Sequence, residues 1–133
     1  MPNNVDNKLV VTGTKSQLIE FKEFARGREE DQAISVEPFI PYPSDEIRLA
    51  NQNDIEQWRV KHWGIKWDFY DTDLEIRDDS LIYRFRTPWS PPIHIVYIMS
   101  LKFDSMIFTL NFWELAQGGA VGSFSIQRGV AFK

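Results

Sequence analysis

The stretch that decides the fold lies in the middle of the chain and reads His62-Trp63-Gly64-Ile65-Lys66-Trp67-Asp68-Phe69-Tyr70-Asp71. Apolar residues before it have helical spacing, and Gly64 stands where a helix takes a left-handed C-cap. Residues 67–76 have the alternation and composition of a strand. The stretch therefore predicts a helix-to-strand junction whose corner is covered by tryptophans.

The sequence before this junction predicts a strand followed by a helix. Residues 8–13 are rich in β-branched side chains and predict the first strand. Thr14 and Gln17 form a capping-box pattern, and a stripe of apolar residues then predicts a helix that ends near Gly27. Residues 34–40 predict a short strand, which nearby prolines restrict to an edge or to an extended segment.

The central helix has its own start signal in Asn53 and Glu56, a second capping pattern. After the junction, residues 81–87 predict a strand that pairs with residues 67–76 through a turn. Ser90-Pro91-Pro92 predicts the start of a helix, with Ser90 as the cap. This helix is apolar around most of its circumference, so we expect it to be buried.

The remainder of the chain predicts further strands. Residues 106–113 form a strongly apolar strand pattern, residues 117–122 a glycine-rich bend, and residues 123–132 an alternating last strand. Strands and helices in this order predict an α+β fold, with helices on one face of an antiparallel sheet. With 133 residues we expect a single domain over residues 1–133.

Composition restricts the classes of function. The net charge of −4 disfavours a polyphosphate partner, and the absence of cysteine excludes disulfides and thiolate chemistry. The first residues show no signal-peptide pattern, and no apolar run is long enough to span a bilayer. We therefore expect a cytoplasmic protein that has no membrane partner.

Two motifs in this sequence resemble the paired motifs of a known family. The segment Trp63–Asp68 and the later segment Phe85-Arg86-Thr87-Pro88-Trp89-Ser90-Pro91-Pro92 are similar to those of the YubB-like ferredoxin-fold domain family of bacterial, plasmid and phage proteins. The resemblance covers roughly residues 8–115. It implies a ferredoxin-like βαββαβ fold, here with an inserted helix and an extra C-terminal strand. It implies no activity, because the function of the family is unassigned. Ile65 replaces an expected threonine, and Pro88 replaces an expected small residue.

Catalytic and metal-binding patterns are absent from the sequence. The two histidines have no second ligand at metal-binding spacing, and no nucleophile elbow or phosphate loop is present. On a regular strand, Asp71, Asp73 and Glu75 would share a face and could bind a divalent cation, but a solvated strand edge is favoured. We expect no catalytic residue, no metal and no cofactor. The tryptophan motifs are interpreted as packing corners rather than a ligand cage; they comprise Trp63, Gly64, Lys66, Trp67 and Trp89.

The face of the sheet opposite the helices is the predicted binding surface. Strand alternation places a mixture of charged, amide and aromatic side chains on that face. The candidate residues are Asp68, Tyr70, Arg84, Arg86, Asn111 and Trp113. RNA-recognition domains stack bases on the equivalent face of this fold, which is an analogy at the level of the fold alone. An ordinary solvated face, or one covered in a homo-oligomer, is the alternative.

Three functions remain open at this point. The first is a small non-enzymatic binding or regulatory protein of a phage or other mobile element. Such a protein would act on a host protein or small ligand, for example against a host defence. The second is a binder of nucleotides or single-stranded nucleic acid, with Arg84 and Arg86 facing phosphates. The third is an enzyme that uses the carboxylates around Asp68 and Asp71.

Overall fold

A computed structural model describes residues 4–114 and 121–132 of the chain. The predicted bend at residues 117–122 lies largely outside these ranges. Within them, strands and helices follow one another as β1 (Asn4–Thr12), α1 (Lys15–Ala25), α2 (Asp45–Arg48), α3 (Gln52–Trp63), β2 (Tyr70–Ile76), β3 (Ser80–Pro88), α4 (Ile93–Lys102), β4 (Ile107–Glu114), β5 (Val121–Gln127) and β6 (Val130–Phe132).

The strands form one antiparallel sheet in the order β2-β3-β1-β4-β5-β6. The first four positions have the ferredoxin-like arrangement, with β1 and β3 in the centre, so the predicted fold class is confirmed. The C-terminal extension is a hairpin rather than one strand. Arg128 and Gly129 both have positive φ, of 52° and 77°. Such a pair makes a two-residue hairpin turn that fits the twist of antiparallel strands.

The hydrophobic core lies between the helices and one face of the sheet. Leu9, Tyr83 and Leu110 contribute from the central strands, and Phe21 and Met99 from α1 and α4. The ring of Phe21 contacts several other aromatic rings, with centroids 5.1 Å from Phe103 and 5.9 Å from Tyr83. The aromatic-rich composition is therefore used to fill the space between the two layers.

Local capping signals explain where two helices begin or end. Thr14 and Gln17 form the predicted capping box at the start of α1. Gly64 closes α3 with φ of 79°, which is accessible to glycine without steric cost. The start of α3 was predicted at the wrong asparagine. Asn51 is the N-cap and accepts a hydrogen bond from the backbone N–H of Asp54 at 2.9 Å.

Other predicted elements differ from the structure because tertiary contacts override local pattern. Residues 34–40 form no strand but pack as a loop, in which Ile34 and Val36 are buried. Strand β2 begins at Tyr70, not at residue 67. Helix α4 has Pro92 at its N-cap position with no side-chain cap, so Ser90 is not its cap. The same helix is not buried all round, since a stripe of its apolar residues is exposed: Ile93, Tyr97 and Leu101.

The hydroxyl of Tyr83 is a buried polar group in this core. The side chain is 0% exposed, and its hydroxyl has no hydrogen-bond partner among the described residues. Burial raises the pKa of Tyr83 above the ordinary tyrosine value. A buried hydroxyl without a partner costs about 1–3 kcal/mol in desolvation.

Tyr83→Phe is therefore expected to raise the free energy of unfolding by about 1 kcal/mol or more, measured by urea denaturation. Because the folded-state pKa of Tyr83 is raised, the parent protein should also lose stability above about pH 10, and the variant should lose less. Tyr97→Phe is the control, since Tyr97 is exposed and should change little. A loss of stability in Tyr83→Phe would show that the hydroxyl has a partner.

Candidate functional site

The open face of the sheet is the side opposite the hydrophobic core. Strand registers arrange its side chains in rows that cross five strands. One row contains Tyr70, Arg86, Asp6, Trp113 and Val121. The next row contains Asp73, Arg84, Lys8, Asn111 and Ser123. A third contains Glu75, Ile82, Val10, Thr109 and Ser125.

The structure places five of the six predicted candidate residues on this face. They are Tyr70, Arg84, Arg86, Asn111 and Trp113. Several of them are held by neighbours on the same face. The Tyr70 hydroxyl donates to Asn4 Oδ1, and the Ser123 hydroxyl donates to Asn111 Oδ1 at 2.8 Å. The rows are therefore a connected polar surface rather than a set of isolated side chains.

The sixth candidate, Asp68, was placed wrongly on the open face. It precedes β2 and lies against the loop that contains Ser35 and Val36. Its carboxylate accepts hydrogen bonds from Ser35 Oγ at 2.5 Å, Val36 N at 2.8 Å and Phe69 N at 2.7 Å. Burial raises the pKa of Asp68, and these hydrogen bonds oppose that rise. Asp68 therefore joins two segments of the fold. Strand alternation could not predict the direction of its side chain, because residues 67–69 precede β2 and do not belong to a strand.

The arginines of the open face are paired with carboxylates. Arg86 contacts Asp6 at 2.9 Å and Asp71 at 3.3 Å. Arg84 contacts Glu75 at 3.1 Å, and Arg77 contacts the same carboxylate. Hydrogen bonds from Arg77 and Arg84 hold the pKa of Glu75 below its ordinary value. Both predicted arginines are therefore paired within the face: Arg86 contacts two carboxylates, and Arg84 shares one with Arg77.

The predicted carboxylate trio does not form a cation site. A bulge shifts the register between Tyr70 and Asp73, and Asp71 at the bulge has φ of 51°. Asp71 and Glu75 instead bind arginines. Across residues 4–114 and 121–132, no group of three or more His, Asp or Glu is arranged to hold a metal ion.

The two sequence motifs meet beside the sheet. The Ser90 hydroxyl donates to the carbonyl oxygen of Gly64 at 3.4 Å, and Lys66 Nζ lies 5.3 Å from the ring centroid of Trp89. Ser90 lies two residues before the N-cap position of α4, so its hydroxyl is directed to another segment of the chain. The two motifs are thus structurally linked.

The tryptophans of these motifs are not equivalent. Trp63 is 1% exposed and donates from Nε1 to the carbonyl oxygen of Ile40 at 2.8 Å. Trp67 is partly buried, with its ring 6.4 Å from that of Tyr70. Trp89 is 44% exposed and has φ of 67°, so it is the least buried tryptophan of the two motifs. Left-handed backbone is unfavourable for a bulky side chain.

Strand β1 contributes two side chains to the open face that were not predicted there from the sequence. Asp6 and Lys8 lie at the centre of the first two rows, between β3 and β4. The predicted strand began only at residue 8, because asparagine and aspartate before it disfavour a strand. The available signal was the alternation of apolar residues at Val5, Leu9 and Val11, which extends back past Asp6.

The topology and the uncovered sheet face define a ferredoxin-like α+β protein. The family model described as "Ferredoxin-like domain in Api92-like protein" matches residues 62–133, which is more than half of the chain. The chain therefore belongs to this family. No curated protein and no solved structure matches it. The matched region begins at His62 and includes both tryptophan motifs. Within the described residues, no helix is long and apolar enough to cross a membrane.

Proposed function

We propose that this protein is a non-enzymatic binding protein that recognises another protein through the open face of its sheet. The observation that carries the proposal is the charge pairing on this face. The face combines charged, amide and aromatic side chains with the aliphatic residues Val10 and Ile82. Arg84 and Arg86 each contact a carboxylate on it. Arginine and large aromatic side chains, both present on this face, are enriched in protein–protein interfaces.

The same pairing argues against single-stranded nucleic acid or a nucleotide as the partner. A phosphate would have to displace Asp6 or Asp71 from Arg86, and Glu75 from Arg84. Lys8 has no ion-pair partner among the described residues of the face, and the protein has a net charge of −4. Polyphosphate binding depends on uncompensated positive charge. A protein partner can instead place its own acidic and basic side chains opposite the charged rows of this face, without displacing the carboxylates from the arginines.

The proposal includes a biological setting that rests on the motif resemblance. The two tryptophan motifs resemble those of a YubB-like family from bacteria, plasmids and phages. We accordingly assign the protein to the cytoplasm of a bacterium or of its phage-infected host, where it would regulate a host protein. Blocking a host defence is one such role. The absence of cysteine is compatible with a reducing compartment.

The test uses variants of the open face in a capture experiment from bacterial lysate. Arg84→Ala with Arg86→Ala should leave the melting temperature nearly unchanged, since exposed ion pairs contribute about 0–1 kcal/mol. The same double variant, and separately Trp113→Ala, should weaken the captured protein's affinity at least ten-fold, or about 1.4 kcal/mol by calorimetry. Lys61→Glu, an exposed change on α3, is the matched control and should bind normally.

Two further measurements separate the alternatives. A fluorescent oligothymidylate and ATP are titrated in parallel, and neither should bind. Salt-sensitive binding of either probe that the double arginine variant abolishes would favour the nucleic-acid function instead. Analytical sedimentation of the parent protein shows whether it self-associates. If it forms a dimer through the open face, the partner on that face is a second copy. A captured protein that binds every face variant normally would contradict the proposal.

A further inference from the structure

The free edge of β2 exposes backbone hydrogen-bonding groups. β2 is an outer strand, and its only neighbour in the described part of the sheet is β3. Arg77 N donates to the carbonyl oxygen of Ser80 at 2.9 Å, and Ile76 lies opposite Leu81. Because antiparallel pairs alternate between bonded and non-bonded types, the N–H and C=O groups of Ile76 and Leu74 point away from β3. These groups have no partner among the described residues.

A loop covers only the first half of this edge. Ala33 N donates to Thr72 Oγ1 at 2.9 Å, and Thr72 Oγ1 donates to the carbonyl oxygen of Asp31 at 3.0 Å. Gln32 Nε2 reaches the carbonyl oxygen of Phe69 at 3.3 Å. The loop therefore protects β2 up to Thr72 and leaves residues 73–76 accessible.

A groove runs between the accessible part of β2 and helix α1. It consists of two adjacent cavities of about 260 Å³ and 170 Å³, which share Lys22 and Ile76 in their linings. Ile19 is 54% exposed and Ile76 is 63% exposed. Exposed apolar residues beside unpaired backbone groups are a hazard for edge strands, which proteins usually cover or charge. This combination indicates that the groove is covered by a partner.

The charge of the groove indicates what kind of partner. The larger cavity is lined by three basic side chains, Lys15, Lys22 and Arg77, and by one acidic side chain, Asp78, which gives a net +2. The smaller cavity adds Arg26, Glu30 and Asp31, so the groove as a whole has a net charge of +1 and its positive charge lies at the end formed by Lys15 and Lys22. The two lysines form no ion pair among the described residues, whereas the protein as a whole has a net charge of −4. The end of the groove at Lys15 and Lys22 is therefore a local exception that is complementary to acidic side chains.

We propose that this groove docks an extended acidic segment of a partner protein, which adds a strand to β2. Backbone groups of the segment would bond to Leu74 and Ile76, as in other cases of strand addition. The side chains of the segment that face the groove would be two positions apart, with an apolar residue against Ile19 and Ile76 and an acidic residue beside Lys15 and Lys22. This groove is separate from the open face of the sheet. It would give the protein a second binding surface for a partner protein.

A second copy of this chain is the other occupant that an unpaired edge permits. The acidic peptide is proposed because of the unpaired lysines at one end of the groove, and sedimentation distinguishes the second copy.

A displayed library of random short peptides tests the proposal while the partner protein is still unidentified. Selection on the full-length protein should enrich peptides in which an apolar and an acidic residue are two positions apart, so that both face the groove. A synthetic peptide of the enriched sequence, labelled with fluorescein, should bind at least ten-fold more weakly to Lys15→Glu/Lys22→Glu. Ile76→Pro, which removes one outward N–H at an edge position, should weaken binding similarly. Lys61→Glu serves as the matched charge control and should bind normally.

Changes in the peptide provide a test that does not depend on the folding of a variant. N-methylation at the peptide positions that face β2 should abolish binding, whereas N-methylation at the alternate positions should not. Failure to enrich acidic peptides, or equal loss for both methylation patterns, would overturn the proposal. So would a dimer in sedimentation that Ile76→Pro dissociates, since the occupant would then be a second copy. If no peptide is enriched, and laurate binds to the parent protein but more weakly to the same variants, the groove binds a small amphiphile instead.

Discussion

Trp63→Ala is expected to lower the free energy of unfolding by about 3–5 kcal/mol, the usual range for truncation of a buried aromatic residue. The indole is 1% exposed, and its ring lies 5.1 Å from Tyr42 and 5.8 Å from Trp58 between centroids. It also donates to the carbonyl oxygen of Ile40. The substitution thus leaves a cavity at the end of α3 and an unpaired carbonyl group. Urea denaturation followed by circular dichroism measures the change.

Trp89→Ala is the matched control for this prediction. Trp89 belongs to the second motif but is 44% exposed, and its left-handed backbone is also unfavourable for alanine. The variant loses mainly the contact with Lys66, so it should cost less than about 2 kcal/mol. Equal losses for the two variants would mean that the motif tryptophans form one packed unit. A Trp63→Ala protein as stable as the parent would rule out a structural role for Trp63.

Asp68→Ala is expected to lower the free energy of unfolding by about 3 kcal/mol or more. The substitution removes one carboxylate and leaves three donors without a partner: Ser35 Oγ, Val36 N and Phe69 N. All three donor residues are buried, and each buried donor without a partner costs about 1–3 kcal/mol, with losses that do not add fully. The loop at residues 35–36 should also become more accessible to protease.

Asp73→Ala is the control for Asp68→Ala, because Asp73 is an exposed carboxylate on the same segment of chain. It should change the free energy of unfolding by less than about 0.5 kcal/mol. Asp68→Asn preserves the shape of the side chain and should lie between the two. An Asp68→Ala protein that melts like the parent but loses its partner would restore Asp68 as a binding residue.

The sequence by itself determined the features that depend on neighbours in the chain. The capping box at Thr14 and the left-handed C-cap at Gly64 need only a few adjacent residues, so their patterns predicted the ends of two helices. Period-two alternation similarly predicted the side-chain direction of Arg84, Arg86 and Asn111, because β3 and β4 are regular strands. The order of strands and helices followed from the same local rules, and with the motifs it predicted the ferredoxin-like fold.

Only the tertiary structure decided the features that depend on residues far apart in the chain. Asp68 binds a loop more than thirty residues earlier, and Ser90 bonds to Gly64 instead of capping α4. The partners of Arg86 come from β1 and from a bulge in β2, which no alternation pattern specifies. The groove beside Ile76 exists because strand order leaves β2 at an edge next to α1. Strand register and packing set these contacts, and both arise only when the distant segments fold together.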